Sequence, residues 1–214
     1  MRIGASDILA RTRVVAVLRA ARASDYGPVM EALVRGGVVS LELTLSTPGA
    51  LDGLPALRSR FGDEVEIGVG TVTDTDQAGA ALDAGAQFLV TPVTVASVTR
   101  LAVQRGVPVF PGGLTPTELF AGWSAGATAV KLFPASTVGP GYLAQLRGPF
   151  PDIEVIPSGG IGIEEAAGWI RAGALAVSLG GPLLGDAFSG GDLGALTRRA
   201  EQVRSLVDQE AARV

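Results

Sequence analysis

The sequence predicts an α/β fold, a (β/α)8 TIM barrel preceded by a short N-terminal helix, on three observations. Short β-rich apolar runs begin near Val14, Val38, Val65, Ala86, Val107, Ala127, Ile153 and Ala174. They recur at intervals of roughly 20–27 residues, the pitch of a strand–helix unit in a parallel sheet. Amphipathic alanine- and leucine-rich stretches lie between them, and many end in glycine, which takes the left-handed conformation that closes a helix.

In chain order, Ala5 to Arg13 reads as the leading helix, capped by Ser6. Val14-Val15-Ala16-Val17-Leu18 is the first strand, and its helix stops at Arg35-Gly36-Gly37. The runs from Val38 and Val65 give the second and third strands, and Asp76 to Ala84 with Gly85 gives a helix. The runs from Ala86 and Val107 flank the helix Val95 to Gln104, which ends at Arg105-Gly106. Ala125-Gly126 and Ala172-Gly173 close helices before the sixth and eighth strands, and Asp192 to Ala212 is the last helix. A doubly wound sheet is the alternative, but it announces itself with a glycine-rich turn after its first strand, where this chain has Leu18-Arg19-Ala20. No linker or low-complexity segment interrupts the pattern, so residues 1–214 are expected to form one domain.

Composition narrows the chemistry. The chain has 214 residues, 47% of them apolar and 18% charged, with net charge −4. That balance excludes disorder and offers no basic stripe for nucleic acid. No signal-peptide h-region and no apolar run long enough to span a bilayer is present, so the expectation is a cytoplasmic protein without a membrane partner. Cysteine and histidine are both absent, which removes thiolate and imidazole metal sites, cysteine nucleophiles and the serine–histidine triad. No metal or cofactor is expected. Sixteen of the 17 basic residues are arginine and one, Lys131, is lysine. Arginine keeps its proton near neutral pH, whereas a buried lysine can become a nucleophile.

Barrel enzymes carry their functional residues at the C-terminal ends of the strands. Those ends present Arg19, Glu42 with Thr44, Thr71, Thr91-Pro92, Pro111-Gly112-Gly113, Lys131, Ser158-Gly159-Gly160 and Gly180-Gly181. Period-two alternation places Ala129, Lys131 and Phe133 on one strand face, opposite Val130 and Leu132. The aliphatic face suits the helix layer, so Lys131 points inward. Burial disfavours a charged amine, and a neutral amine can attack a carbonyl; the alternative is a lysine in a structural pair. By the same alternation Ser40, Glu42 and Thr44 face inward, making Glu42 a candidate general acid/base or half of a structural ion pair. Arg19 suits a substrate carboxylate or caps the barrel mouth. The glycine pairs after strands seven and eight sit where many barrels bind phosphate through backbone N–H groups.

The segments VVAVLRA (14–20), LELTLSTP (41–48), GVGTVT (68–73), FPGGLTPTEL (110–119), AVKLFPAS (129–136) and PSGGI (157–161) resemble the 2-keto-3-deoxy-6-phosphogluconate (KDPG) aldolase family. That family includes 4-hydroxy-2-oxoglutarate (KHG) and 2-keto-3-deoxy-6-phosphogalactonate aldolases. The resemblance implies a metal-independent class I aldolase, a homotrimer of barrels, acting on a small 2-keto acid through a Schiff base. It gives Lys131 the Schiff-base role and Glu42 the proton-transfer role. Arg19, Thr71, Pro92 and Phe133 are then expected to line the substrate site, with Ser158, Gly159, Gly160, Gly180 and Gly181 on its phosphate side. Three departures stand out. Val69 replaces a frequent alanine and is expected to narrow the site. Ser46 replaces an arginine of some members, which leaves anion binding to Arg19. Gly181 replaces a phosphate-binding serine of many members. The alternatives are a barrel phosphosugar isomerase or synthase, and a barrel that only binds a sugar acid.

Overall fold

A computed structural model describes residues 2–213. Helix α1 (Asp7–Thr12) begins where the Ser6 hydroxyl accepts the Leu9 N–H at 3.0 Å. Strand and helix then alternate: β1 (Val14–Leu18), α2 (Tyr26–Arg35), β2 (Ser40–Thr44), α3 (Ala50–Phe61), β3 (Glu66–Gly70), α4 (Thr75–Asp83), β4 (Leu89–Val90) and α5 (Ala96–Gln104). They continue through β5 (Val109–Phe110), β6 (Gly112–Gly113), α6 (Pro116–Ser124), β7 (Val130–Leu132), α7 (Gly141–Arg147), β8 (Val155–Pro157), α8 (Ala166–Arg171), β9 (Val177–Leu179), α9 (Gly181–Leu184) and α10 (Leu193–Ala211). The strands start two or three residues after most of the apolar runs begin, because the first residues of each run still belong to the glycine turn. Gly85, at φ 94°, is such a turn.

All strand pairings are parallel, as alternation of strand and helix requires. They form a six-stranded sheet in the order β5-β4-β3-β2-β1-β9 and a three-stranded sheet β6-β7-β8. The barrel reading expects eight strands in one ladder; among the described residues there are nine strands in two sheets. Pro111 is the physical reason at one seam. It has no N–H to donate, and the next amide, Gly112 N–H, turns to the Thr91 hydroxyl at 3.1 Å. The segment that pairs with β4 through Phe110 therefore pairs with β7 through Gly112. At the other seam a single bridge, Ser158 to Ser178, joins β8 to β9.

The curled sheet has two apolar faces. Leu41, Leu43, Ile67, Val69, Val130 and Leu132 point outward into the layer shared with the helices. A smaller cluster of Val15, Phe88, Val90, Phe110, Ala129 and Ile156 fills the concave side, with Leu9 of α1 beneath it. A Cβ at Gly68 would collide with the Phe88 ring, so glycine makes room there for the aromatic plug. Glu66 shares this inner parity and is buried; Ser6 donates its hydroxyl to Glu66 Oε2 at 2.5 Å. Burial holds the Glu66 carboxyl above its ordinary range, and the Ser6 hydrogen bond offsets only part of that. Helix α10 lies across α2 and α8: Thr197 donates to the Ala32 carbonyl at 3.0 Å, and Arg171 grips Glu210 at 2.9 and 2.7 Å.

Candidate active site

The C-terminal ends of the strands surround a cavity of about 470 Å³. Arg19, Glu42, Thr71, Pro92, Lys131, Phe133, Ser158, Gly159, Gly160, Gly180 and Gly181 all line it, whereas the other strand-end candidates, Thr44, Thr91 and Pro111-Gly112-Gly113, do not.

Lys131 is central in β7, with Val130 and Leu132 on either side locked into the outer layer. Its side chain is 10% exposed, and Nζ lies 3.7 Å from Glu42 Oε1. That is charge-pairing range but too long for a hydrogen bond, so the amine is not tied to the carboxylate by a fixed proton. Nζ also stands 5.6 Å from the centre of the Phe133 ring. Glu42 is 1% exposed, and its Oε2 has no hydrogen-bond partner among the described residues. The carboxylate reaches this position because Gly70, two residues beyond its register partner Gly68 on β3, carries no side chain: a Cβ at Gly70 would collide with Glu42 Oε1. Buried charge without full pairing is costly for stability and typical of reactive sites.

Arg19 ends β1 at the rim, exposed, and among the described residues no carboxylate pairs with it. Its base is fixed: Ala20 N–H donates to the Thr47 hydroxyl at 3.0 Å, and that hydroxyl donates to the Ala20 carbonyl at 3.2 Å. Thr71 has φ 63°, in the left-handed region that a branched residue adopts only under constraint. On the other side, Gly159 and Gly160 have φ of 88° and 73°. A Cβ on Gly159 would lie 2.8 Å from the Phe133 ring, and one on Gly160 would lie 2.5 Å from Ser136 Oγ. Both are glycine for conformation and for space. Gly181 differs, since a Cβ there meets nothing within 4 Å.

One expectation fails. Val69 does not narrow the site; it is fully buried in the outer layer. Gly70 must face Glu42, and alternation then turns Val69 to the helices. Ser46 is spent locally, donating to the Thr44 hydroxyl at 3.0 Å. Val17, Pro182, Leu184, Gly185, Phe188 and Ser189 also line the cavity and were not anticipated. Val17 carried a signal, because it shares the inward parity of Val15 and Arg19. The others lie beyond β9, in the four-residue helix α9 and the turns after it, which no periodicity marks. Among the described residues, no cluster of three or more His, Cys, Asp or Glu side chains could hold a metal ion, and no helix is long and apolar enough to cross a membrane.

The family model for KDPG and KHG aldolase matches residues 5–198. The chain belongs to that family. Its aldolase relatives include the 2-dehydro-3-deoxy-6-phosphogalactonate aldolase of Escherichia coli K12, 35% identical over 195 residues, 91% of this chain and 92% of that one. The 2-dehydro-3-deoxy-phosphogluconate aldolase of Pseudomonas aeruginosa is 38% identical over 169 residues, covering 77% and 75% of the two chains. Among solved structures, the KDPG aldolase of Legionella pneumophila, in which pyruvate was captured as a covalent carbinolamine, superposes with TM-score 0.83 at 29% identity, covering 92% of this chain and 96% of that one. Family members are aldolases, hence lyases, and the buried amine–carboxylate pair carried by β7 and β2 is chemistry such a reaction can use.

Proposed function

We propose that this aldolase cleaves a 2-keto-3-deoxy sugar acid of the 6-phosphogluconate type, or 4-hydroxy-2-oxoglutarate, into pyruvate and an aldehyde through a Schiff base on Lys131. The observation that carries the reading is Lys131 Nζ, buried and 3.7 Å from the Glu42 carboxylate, at the floor of the cavity. Neutral Lys131 adds to the C2 carbonyl, and loss of water from the carbinolamine leaves an iminium. The iminium draws the C3–C4 bonding electrons toward itself, while Glu42 takes the C4 hydroxyl proton through a water. The C3–C4 bond breaks, the aldehyde departs and an enamine remains. A proton returned through Glu42 to C3 makes the methyl group, and water hydrolyses the iminium to pyruvate and free lysine.

Arg19, without a carboxylate partner among the described residues, suits an anionic group of the substrate. Gly159, Gly160 and Gly180 offer backbone amides to a phosphate, but Gly181 adds no hydroxyl. A phosphorylated acid is therefore bound with one contact fewer than a serine there would supply, and unphosphorylated acids compete unusually well. A galactonate-configured substrate is the second reading, favoured by the 35% identity to the E. coli galactonate-type enzyme.

The reading extends to the whole molecule. Residues 1–214 act as one domain whose two sheets close into a barrel across the Pro111 and Ser158–Ser178 seams. The enzyme works in the cytoplasm as a homotrimer, a state supported by the family resemblance and by the exposed Val93, Phe120 and Val138. The decisive experiment is borohydride reduction in the presence of pyruvate, followed by peptide mass analysis. One pyruvate-derived adduct on Lys131 is expected. Turnover of a 2-keto acid with an unmodified Lys131 would end the proposal.

A further inference from the structure

Next to the main cavity, and sharing Glu42 and Lys131 with it, lies a second and far smaller one. Its volume is about 10 Å³, and Glu42, Lys131 and Ser178 line it against Val15, Phe110 and Ile156. That volume is about what one water needs, and a water settles where two to four polar groups converge on a site. Glu42 lines both cavities; Oε1 faces Lys131, while Oε2 is buried without a partner among the described residues. Ser178, on β9, is buried too. Its oxygen accepts the Ser158 hydroxyl at 3.2 Å, which leaves the Ser178 proton free to donate elsewhere. Ser158 in turn lines the open cavity.

We infer that a single water occupies this inner cavity, accepts the Ser178 hydroxyl proton and donates to Glu42 Oε2, and that Ser178 is thereby a positioning residue for the Glu42 carboxylate. The inference rests on the aldolase reading and adds a role that the substrate-facing residues do not supply. A carboxylate that must take a proton and return it needs a fixed orientation, and small errors of placement slow such steps disproportionately. The water holds the inner oxygen still, so that the outer oxygen faces the reacting carbons. The Ser158–Ser178 pair also joins this anchor to the Gly159–Gly160 turn, so both ends of the site share one hydroxyl chain.

The test has two arms. In a crystal structure of the unaltered protein, at a resolution that orders internal solvent, a water is expected within hydrogen-bond distance of both Glu42 Oε2 and Ser178 Oγ. In Ser178→Ala, kcat and the exchange of pyruvate methyl protons with solvent are expected to fall together by roughly three- to ten-fold, the worth of one modest hydrogen bond. KM and the amount of pyruvate trapped on Lys131 by borohydride should stay at the parental level. A dry inner cavity overturns the inference, as does parental exchange in Ser178→Ala, or a parallel loss of trapping and exchange that marks general disruption. Each of these leaves Lys131 trapping in the parent intact. Failure of the aldolase reading is distinct, because the parent itself would then trap no pyruvate.

Discussion

The two ends of the cavity are built differently. At one end, Lys131 and Glu42 project from the middles of strands whose neighbouring residues are fully buried, and Gly70 is cut away to let the carboxylate in. At the other, Gly159, Gly160, Gly180 and Gly181 offer only backbone, in the turn after β8 and at the start of α9. Side chains anchored in a packed sheet can hold a reactive geometry that loops cannot. Backbone in a glycine turn can be retuned by one substitution without disturbing that geometry. The chemistry is therefore expected to be fragile at the strand end, and substrate preference to be adjustable at the loop end.

The harshest way to test that division is Lys131→Arg. The charge is kept and the nucleophile is lost, so turnover and borohydride trapping should both vanish while circular dichroism stays native. Glu42→Gln should leave trapping possible but slow turnover by roughly 100-fold or more, the usual worth of a positioned acid/base. Gly70→Ala sharpens the point. Its methyl group displaces a chemically intact Glu42, so a loss of kcat approaching that of Glu42→Gln would show that position, not only the carboxyl group, matters. Parental kcat in Gly70→Ala would break the comparison.

At the loop end, effects should be gentler and selective. The open space beside Gly181 admits a side chain, so Gly181→Ser is expected to fold normally. It should raise the ratio of kcat/KM for phosphorylated over unphosphorylated substrate by roughly 10- to 150-fold, the value of one charge-assisted hydrogen bond. An unchanged ratio would mean that another donor, such as Ser189, already fills that place. The smallest effect belongs beneath both ends, at Glu66. Its folded pKa lies above the ordinary value of 4.5, so the folded state holds the proton more tightly than the unfolded chain. Stability from this group is fully present below pH 4.5 and is lost as pH rises through the higher folded value. Glu66→Gln should raise the melting temperature slightly at pH 7 and flatten its pH dependence. A lower melting temperature at pH 7 would mean that the ionised carboxylate is stabilising.

These contrasts also explain what could be read from the residues. Repeats of apolar run, amphipathic stretch and glycine expose the βα succession because each has a period, and a lone lysine or glutamate inside an apolar strand stands out by charge. Pro111 left a legible sign, since proline cannot donate within a sheet, yet spacing alone counted its strand as one. Val69 lies outside the site because Gly70 faces Glu42 and alternation turns its neighbour to the helices, a parity that the family substitution by itself does not reveal. Phe188 and Ser189 reach the cavity through turns near Gly185 and Gly190, whose φ values of 56° and 83° follow no repeat. Ser178 became visible only once β9 lay beside β8, a long-range neighbourhood that no local pattern encodes.

The pairing of β1 with β9 matches Val14 to Val177 and Ala16 to Leu179, strands from opposite ends of the described chain. During synthesis β1 can find β2 at once, but its other edge stays open until β9 has been made. An open apolar edge is a template for pairing with other chains, and contacts between distant residues are slow to form. A nascent chain halted before β9 carries Arg19 and Lys131 yet lacks Ser178 and the cavity's Gly180, Gly181 and Gly185. The cavity is thus complete only once β9 and the turns after it have been made, and the interval before that leaves the β1 edge open to aggregation.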